Sequence, residues 1–535
     1  MSPVKTAKIY VHPRFRIGDI SPRLYGAFLE PIGTMVNGSM FNPKHPTANA
    51  KGFRMDVIEA LKASGLPALR LPGGNFVSGW DWKDSIGPVA QRKTQLDTAW
   101  FQYYTNEIGH DEYLQWTAMI GAEPMYTFNL GTNDLRDALH LVEYTNHKGG
   151  SYWSDLRRQY GHEKPYDVKI WYLGNEMDGP WQIGSWQKDP RGYGVLAHEV
   201  SKGVKWIDPG IETVACVSSS PFLSHYPQWD LEVLQECYET VDYVSLHHYH
   251  IAAPGDYAAL LGGSVFFEDY IRTEIALCDF MQTKLRTPKR IMLSFDEFGS
   301  REQELEPILP GRGTVWEHRF DPAREYVRHD PDNMTPAQRL TRRGGMLDAL
   351  SSAGTLLTLL RHADRIKIGC MTWGLQTLAA TDRNHVWKPI AHYPFKQLMQ
   401  YGRGVSMQTV VECDRYDIPG YAPSHQFQYS TRTDIPFIDS AAAYNPDQKE
   451  LTVFVINRDT EHDRQLELDV SAFEGCRLIE HVQLHTDDLS AMNSFEHPDV
   501  VLPKTNSDAM MKDGKVTAKV RSLSWNVIRL RVAGL

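Results

Sequence analysis

Cysteine is scarce in this chain of 535 residues, which contains six. The six lie far apart and none forms a CxxC pair, so the sequence lacks the cysteine density of a disulfide-stabilised secreted domain. The first 20 residues contain no apolar stretch typical of a signal peptide, and no run reaches the ~18 apolar residues of a membrane span. These absences predict a cytoplasmic protein with no membrane partner.

A basic block is also missing. Lys and Arg number 56 against 66 Asp and Glu, which gives a formal net charge of −10. Proteins that bind nucleic acids or anionic membrane surfaces carry clustered positive charge, so no nucleic-acid partner is expected. Apolar residues make up 42% of the chain and charged residues 23%, as in ordinary globular proteins. The composition favours an enzyme or binding protein for a neutral or polar small substrate.

Short apolar segments alternate with longer segments of helical periodicity over the first 400 residues. Eight apolar segments are found, at 24–33, 66–75, 121–131, 167–176, 211–220, 241–250, 290–299 and 365–376. Between them apolar residues recur at spacings of three and four, which indicates amphipathic helices. Eight such units predict an α/β fold, a (β/α)8 TIM barrel. A doubly wound open sheet gives the same local alternation and is the alternative.

The helical spacing ends near residue 400, and short alternating runs with turn residues follow. This pattern is typical of an all-β sandwich. The segment AKIYVHP near the N-terminus alternates in the same way. We therefore predict N-terminal strands in residues 1–20 that join the β part, a catalytic barrel in 21–400, and a jelly-roll-like C-terminal β-sandwich in 401–535.

Two of the predicted barrel strands end in glutamate. The predicted strand in WYLGNEMDGPW ends at Glu176, and the predicted strand in IMLSFDEFGS supplies Asp296 and Glu297 near its end. Successive side chains of a strand point to opposite faces, so only one of the latter two is expected to face a shared centre. Glu176 and Glu297 fall on the fourth and seventh strands, at the end where barrel enzymes build their sites. Two converging carboxyl groups are what glycoside hydrolysis requires.

Histidine and tryptophan supply further candidates. His247, His248 and His250 resemble a metal cluster, but strand alternation sends His247 to one face with Tyr249 and the other two to the opposite face. No further ligand is identifiable, so no metal is predicted and the histidines are expected to support neighbouring groups. Four tryptophans could form a sugar-stacking rim or belong to the core, namely Trp100, Trp171, Trp181 and Trp186. The stronger rim candidates are Trp100 and Trp181.

Taken together, the motifs resemble those of a known enzyme family. LYGAFLEPIG, LRLPGGNF, TNEIGHDEYL, GAEPMYTFNLGT, YDVKIWYLGNEMDGPWQIG, VDYVSLHHYH and LSFDEFG follow one another as in the glycoside hydrolase family 51 α-L-arabinofuranosidases. The resemblance implies a retaining exo-enzyme that removes terminal arabinofuranosyl groups from arabinan or arabinoxylan fragments. It implies no cofactor and no metal. It also implies a homo-oligomer, a hexamer in this family.

The resemblance assigns roles to single residues. Glu176 matches the acid/base of the family, and Glu297 matches its nucleophile. The predicted substrate-binding set, with Trp100 and His247 added from their positions, is Glu30, Arg70, Asn75, Trp100, Asn175, His247, Tyr249 and Gln376. Within it, Arg70 matches an arginine that supports the nucleophile, and Tyr249 matches a tyrosine that touches nucleophile and sugar.

The chain departs from the family pattern near the outer rim. Phe298-Gly299 stand where the family has Trp after the nucleophile, and the acidic insertion REQELEPILPG follows. GRGTVWEHRF at 311–320 is predicted to form a long active-site loop, and LAATDRNHVWKP replaces an apolar stretch after the eighth strand. Another glycone, such as a β-D-galactofuranoside or a β-D-xyloside, therefore stays open. A sugar-binding protein without catalysis is the alternative from another class.

Overall fold

The computed structural model describes residues 5–303, 325–328, 344–423 and 427–534. The predicted loop at 311–320 and the acidic insertion from residue 304 onward lie outside the described residues. The strands are β1 Lys5–Asp19, β2 Gly26–Phe28, β3 Ala68–Leu71, β4 Gln95–Asp97, β5 Gln102–Tyr104, β6 Glu123–Thr127, β7 Ile170–Leu173, β8 Glu212–Cys216, β9 Tyr243–Ala252, β10 Met292–Glu302, β11 Val327–Arg328, β12 Ile366–Met371, β13 Ala380–Thr381, β14 Val386–Trp387, β15 Val405–Cys413, β16 Arg415–Ile418, β17 Arg432–Pro436, β18 Ile438–Asn445, β19 Glu450–Asn457, β20 Arg464–Asp469, β21 Arg477–Leu484, β22 Lys504–Thr505, β23 Met510–Lys512, β24 Lys515–Val520 and β25 Ser524–Arg531.

The α-helices lie mostly between these strands in the first 400 residues. They are α1 Met55–Ser64, α2 His110–Ile120, α3 Leu135–Asn146, α4 Tyr152–Gln159, α5 Pro190–Ile207, α6 Gln228–Cys237, α7 Tyr257–Leu261, α8 Gly263–Leu285, α9 Met346–Arg361, α10 Gly374–Leu378 and α11 His392–Tyr401. Within the described ranges, no helix combines the length and the apolar character that crossing a bilayer requires.

Eight parallel strands close into a barrel in the order β2, β3, β6, β7, β8, β9, β10, β12. Each of them overlaps one of the eight predicted apolar segments, so the barrel prediction is confirmed and the open sheet is excluded. The predicted segments are longer than most of the strands because they include loop residues. In the second segment, for example, the strand ends at Leu71 and a short 3-10 helix begins at Asn75. Asn75 and Glu176 therefore lie in loops at the carboxyl end of the barrel, whereas His247 and Glu297 lie within β9 and β10.

The helices cover the outside of the barrel through apolar side chains. Helix α8 places Phe267 and Tyr270 against Phe295 of β10, with ring centroids 4.6 and 5.8 Å apart. These side chains are buried, and burial of a large aromatic side chain contributes about 1.5–3 kcal/mol. The seventh barrel strand is thus fixed from behind.

Ten strands form a second, mostly antiparallel sheet in the order β22, β21, β25, β19, β18, β15, β1, β20, β24, β23. Strand β1 lies inside this sheet, antiparallel to β15 and parallel to β20. Apolar side chains from distant strands share one buried cluster, among them Ile9, Val453, Leu468 and Ile528. The continuous sheet therefore folds over on itself around a core. The predicted C-terminal β domain is confirmed, and its two layers come from a single hydrogen-bonded sheet.

Candidate active site

The centre of the barrel mouth is organised by Arg70 on β3. Its side chain is fully buried, and its guanidinium group reaches three partners on other strand ends. Nε lies 3.0 Å from Oδ2 of Asp296, Nη1 donates to Oε1 of Glu297 over 2.8 Å, and Nη2 donates to Oδ1 of Asn175 over 2.7 Å. A planar guanidinium suits such multiple recognition. Arg70 thus ties β3 to β10 and to the loop that follows β7.

The prediction that only one of Asp296 and Glu297 faces the shared centre is wrong, because both contact Arg70. The pairing register between β9 and β10 shifts between Phe295 and Glu297. Such an irregularity re-aims side chains that regular alternation would send apart. Asp296 lies deeper, fully buried, and Glu297 lies at the mouth.

Glu176 follows the fourth barrel strand in a strained backbone conformation. Its φ is 44°, a left-handed value that is unfavourable for a residue with a long side chain. The strained turn aims the carboxyl group inward, where Nδ1 of His247 lies 2.9 Å from Oε1 and Nε1 of Trp181 donates to Oε2. One oxygen of Glu176 and one of Glu297 lie within 4.8 Å of each other. Two carboxyl groups from the predicted strands thus converge.

His247 lies between the acids rather than at their edge. Its Nδ1 is 2.9 Å from Glu176 and 3.8 Å from Glu297, and its Nε2 is 3.4 Å from Asp296. Burial acts to lower the pKa of His247, but the surrounding carboxylates outweigh it and raise the pKa to about 10. At neutral pH the ring is therefore an imidazolium that donates from both nitrogens.

Burial raises the pKa of Glu176, and the charge of Glu297 adds to this, while His247 and Trp181 act in the opposite direction. For Asp296 burial also acts upward, but Arg70 and His247 prevail and lower the pKa. The pKa values of Glu176 and Asp296 are therefore shifted in opposite directions. Of the two, Glu176 is the one whose protonated form is favoured.

Glu297 is held by two donors from different strands. Besides Arg70, the hydroxyl of Tyr249 on β9 donates to Oε2 over 2.6 Å. The same hydroxyl lies 2.9 Å from Oγ1 of Thr372, after β12. These contacts fix the orientation of the carboxylate and leave it 6% exposed toward the mouth. We refer to Arg70, Asn175, Glu176, His247, Tyr249, Asp296 and Glu297 as the catalytic cluster.

Glu30, Asn75 and Trp100 line the neighbouring side of the mouth. Oε1 of Glu30 accepts from the backbone N–H of Phe76 over 2.9 Å and from Nε1 of Trp100 over 2.8 Å. Gly74 has a φ of 73°, and a Cβ there would lie 2.2 Å from Cδ of Glu30, so only glycine fits. Nδ2 of Asn175 donates to Oδ1 of Asn75 over 3.3 Å. Trp100 therefore contacts a site residue through its indole N–H.

Among the described residues, the other sequence candidates form no hydrogen bond with this cluster. Gln376 on α10 is buried, and its Oε1 has no hydrogen-bond partner among the described residues; nothing joins it to the catalytic cluster. Trp171 stacks on Phe128 in the core, with centroids 4.6 Å apart. The backbone oxygen of Trp186 accepts a hydrogen bond from Nε1 of Trp229 over 3.2 Å.

His248 and His250 point outward, as predicted. His248 stacks on Phe267 of α8 with centroids 4.4 Å apart, and Nε2 of His250 donates to the backbone oxygen of Ala259 over 2.9 Å. Burial lowers the pKa of His248 to about 3 and that of His250 to about 4. Both rings are therefore neutral and structural.

Glu176, His247 and Glu297 offer three possible ligand atoms within 4.8 Å of one another. A metal ion needs a neutral imidazole nitrogen with a free lone pair. The raised pKa of His247 keeps both nitrogens protonated and directed at carboxylates. The donor set therefore fits a charge-balanced acid cluster better than a metal site.

Comparisons with known proteins bear on this arrangement. Residues 58–260 match the model of the α-L-arabinofuranosidase 1 domain, and residues 314–524 match that of the α-L-arabinofuranosidase C-terminal domain. The chain is 38% identical to an intracellular exo-α-(1→5)-L-arabinofuranosidase of Halalkalibacterium halodurans, over 98% of this chain and 99% of the relative. The chain belongs to the glycoside hydrolase family 51 α-L-arabinofuranosidases. The resemblance seen in the sequence motifs is thereby confirmed.

Further relatives and solved structures agree with this membership. An intracellular exo-α-(1→5)-L-arabinofuranosidase of Bacillus subtilis is 37% identical over 99% of both chains. A family 51 α-L-arabinofuranosidase of Bifidobacterium longum superposes with a TM-score of 0.86 at 29% identity, over 98% of this chain and 100% of that one. The arabinose complex of the Thermotoga maritima enzyme gives a TM-score of 0.83 at 28% identity, over 98% and 99%.

Sequence reasoning missed some parts of the site in this family member. The motifs do not single out Thr372, although it directly follows the eighth strand. Strict strand alternation does not predict the contact of Asp296 with Arg70, and Ser245, whose hydroxyl donates to Oδ2 of Asp296 over 2.9 Å, carries no signal in the sequence. The only available hint was that Asp296 adjoins the strand-end glutamate.

Proposed function

We propose that this chain is a retaining, exo-acting α-L-arabinofuranosidase in which Glu176 is the general acid/base and Glu297 the nucleophile. The observation that carries the proposal is the approach of their carboxyl oxygens to within 4.8 Å. Retaining glycosidases hold their two carboxyl groups about 5–5.5 Å apart, whereas inverting enzymes need about 6.5–9.5 Å to admit a water molecule. The short separation therefore supports double displacement.

In the first step Glu297 attacks the anomeric carbon of the terminal sugar. Arg70 and Tyr249 hold its two oxygens, so the nucleophile is oriented before the sugar arrives. Glu176 gives its proton to the glycosidic oxygen as the bond to the aglycone breaks. The raised pKa of Glu176 favours the protonated form that this step requires.

In the second step Glu176, now ionised, takes a proton from water, and the water attacks the anomeric carbon of the glycosyl-enzyme. The ester to Glu297 breaks and arabinose leaves with its original anomeric configuration. Once Glu297 is esterified its charge no longer raises the pKa of Glu176, so Glu176 is more readily ionised and available to accept the proton of the water. His247 contacts Glu176 in this role.

The sugar hydroxyls are matched by the neighbouring polar groups Glu30, Asn75 and Asn175. A site built for hydrogen bonding rejects sugars that leave its buried groups unpaired. As natural substrates we propose arabinan- or arabinoxylan-derived oligosaccharides with terminal α-L-arabinofuranosyl groups. The relatives named for α-(1→5) bonds are up to 38% identical to this chain. One relative named for α-(1→6) bonds, from Bifidobacterium longum, is 31% identical. The first substrates to test are therefore α-(1→5)-linked arabino-oligosaccharides.

The test compares kcat/KM on aryl α-L-arabinofuranoside, β-D-galactofuranoside and β-D-xylopyranoside, with the product anomer followed by NMR. The proposal predicts that the arabinofuranoside leads by orders of magnitude and that the α-anomer forms first. A different leading glycone would overturn the substrate assignment. A β-anomer as first product would overturn the retaining mechanism.

The cysteines and the named relatives indicate where the enzyme is located. All six cysteines are free, which suits a reducing compartment, and several relatives carry "intracellular" in their names. We therefore propose an intracellular enzyme. A homo-oligomer, with the hexamer as the expected form, follows from the family resemblance alone, and light scattering that gave a 61 kDa particle would contradict it.

A further inference from the structure

Strand β9, which carries His247 and Tyr249, extends beyond one of its neighbours. Its pairing with β8 ends at Cys216 and Ser245, but it continues to Ala252, paired on the other side with β10. Most of residues 246–252 are buried. Their backbone groups on the β8 side therefore need hydrogen-bond partners other than a strand, because buried N–H and C=O groups are rarely left unpaired.

An arm from the C-terminal sheet domain supplies these partners. The arm consists of residues 415–436, in which β16 and β17 pair as a hairpin and residues 424–426 lie outside the described part. Tyr421 and Tyr429 face each other across the arm, joined by two backbone hydrogen bonds of 3.0 and 2.8 Å. Their rings stack with centroids 4.7 Å apart. Two hydroxyl groups are thus presented side by side.

Both hydroxyl groups bind the free edge of β9. The hydroxyl of Tyr429 accepts from the N–H of Ile251 over 3.1 Å and donates to the backbone oxygen of Tyr249 over 3.3 Å. The hydroxyl of Tyr421 donates to the backbone oxygen of Ile251 over 3.1 Å. The two side chains thus supply the hydrogen bonds that β8, which ends at Cys216, does not make with this part of β9. They act on the backbone of the residue whose hydroxyl holds Glu297.

The arm is itself anchored by apolar packing on the barrel helices. Ile418, Tyr429 and Ile435 are buried together with Leu260 and Phe266. On the opposite side Phe222, in the loop after β8, packs edge-on against Tyr429 at 4.9 Å between centroids. Close packing of this kind transmits displacements instead of absorbing them. The position of Tyr429 is therefore fixed relative to the barrel mouth.

We propose that the arm is a positioning element of the active site, through which the sheet domain holds Tyr249, and thereby the carboxylate of Glu297, in its reactive orientation. The inference rests on the proposed function, since it needs Glu297 as nucleophile. Tyr429 is the principal positioning residue, because its hydroxyl, and not that of Tyr421, contacts the backbone of Tyr249. A displacement of about 1 Å at the reacting group costs up to about 100-fold in rate.

The test compares Tyr429→Phe with Tyr416→Phe in the full-length enzyme. Tyr416 lies on the same arm, but its hydroxyl contacts Ala258 at 3.4 Å and not β9. We expect Tyr429→Phe to lower kcat about 10-fold with KM within about twofold, and Tyr416→Phe to keep wild-type kinetics. A purely structural role for Tyr429 would lower the melting temperature and leave kcat unchanged below it, which would overturn the proposal.

A double-mutant cycle with Tyr249→Phe identifies the route of the effect. If Tyr429 acts through the hydroxyl of Tyr249, the double variant loses no more activity than Tyr249→Phe alone; independent effects would multiply. Multiplied losses, or an unaffected Tyr249→Phe variant, would refute the arm's role. If Tyr429→Phe does not fold, Tyr421→Phe takes its place in the same cycle, with a loss of about threefold expected.

Failure of the proposed function has a different signature. In that case the wild-type enzyme would not turn over arabinofuranosides, or Glu297→Ala would be as active as wild type, whatever the arm variants do. Wild-type turnover with a wild-type kcat for Tyr429→Phe would instead contradict the arm inference alone.

Discussion

The barrel contains two groups of buried acids, and the cost of burying their negative charges is offset in a different way in each group. In the catalytic cluster the negative charges face two cations, Arg70 and His247. A second group lies behind β8 and consists of Asp178, Asp230 and Glu274, all fully buried; we call it the rear acid cluster. Among the described residues no lysine or arginine forms an ion pair with it. The first group is balanced by cations, whereas in the second Asp230 and Glu274 are balanced by protons and Asp178 contacts Nε2 of His225 over 2.9 Å.

The rear acid cluster uses neutral donors to tie loops together. Asp230 Oδ1 accepts from the backbone N–H and the hydroxyl of Ser218 over 2.6 and 2.5 Å, and Asp178 accepts from the N–H of Ser219 over 3.1 Å. Asp230 Oδ2 and both carboxyl oxygens of Glu274 have no hydrogen-bond partner among the described residues, and the mutual influence of the two buried acids favours a proton on the pair. Burial raises the pKa of Asp230 to about 7 and that of Glu274 well above its usual range.

The difference shows which buried acids are prepared for chemistry. A carboxylate beside a buried cation stays ionised and reactive, at the cost of desolvating both charges. An acid without a cation neutralises itself by taking a proton. The catalytic cluster also reaches the surface at Glu176 and Glu297, which are 9% and 6% exposed, whereas the rear cluster is sealed. Four predictions test this contrast.

The largest effect is expected for Glu297→Ala. Loss of the nucleophile removes the covalent step, so kcat/KM on an aryl α-L-arabinofuranoside should fall by at least about 10⁴-fold. Azide should restore turnover and give the β-configured arabinosyl azide, since it enters from the vacated face. The matched control is Glu302→Gln, because Glu302 is exposed on the same strand; this variant should keep wild-type activity. If Glu297→Ala keeps activity within 100-fold of wild type, Glu297 is not the nucleophile.

The sharpest test of the contrast pairs Asp296→Asn with Asp230→Asn. Both acids are fully buried, and both changes keep the size of the side chain. Asp296→Asn removes a charge from between Arg70 and His247, which shifts both and should lower kcat about 100-fold. Asp230→Asn should leave kcat within about threefold, because among the described residues Asp230 accepts only from Ser218 and is coupled to a second buried acid, Glu274, instead of a cation. Equal losses in the two variants would break the distinction between the clusters.

The sequence predicted the architecture well because periodicity reports burial directly. Eight apolar segments became eight barrel strands, and strand ends located Glu176 and Glu297. It failed for Asp296, because a register shift between neighbouring strands is not encoded in the alternation of one strand. It also gave no sign of the arm, since Tyr421 and Tyr429 act through hydroxyl groups on another strand's backbone. Long-range pairings of this kind have no local signature.

A smaller effect is expected at the side of the barrel mouth that is lined by Glu30 and Trp100. Trp100→Phe removes the indole N–H that donates to Glu30, so Glu30 is less well oriented toward the sugar. We expect KM to rise about fivefold and kcat to stay within about threefold of wild type. The rise in KM corresponds to the loss of one hydrogen bond. Tyr103→Phe, on the adjacent β5 and partly exposed, serves as the control. An unchanged KM for Trp100→Phe would remove Trp100 from the substrate-binding set.

The smallest effect on activity is expected for Glu274→Gln, where the consequence is seen in stability. The folded enzyme keeps a proton on the Asp230–Glu274 pair that the unfolded chain releases above about pH 4. Stability contributed by this pair is therefore complete at low pH and declines as the pH rises toward and beyond 7, the folded pKa of Asp230. An amide at position 274 supplies a permanent N–H to Asp230 in place of that proton.

As the pH rises, the melting temperature of the variant should therefore fall less steeply than that of the wild type. The two slopes should differ by about 1 °C per pH unit for a chain of this size. Ser218→Ala is the control, because it removes one donor to Asp230 without replacing the shared proton, and it should keep the wild-type slope at a lower melting temperature. Parallel slopes for Glu274→Gln and wild type would mean that the rear cluster does not hold a proton. The two acid groups would then differ only in exposure, and charge balance could no longer explain why one of them is reactive.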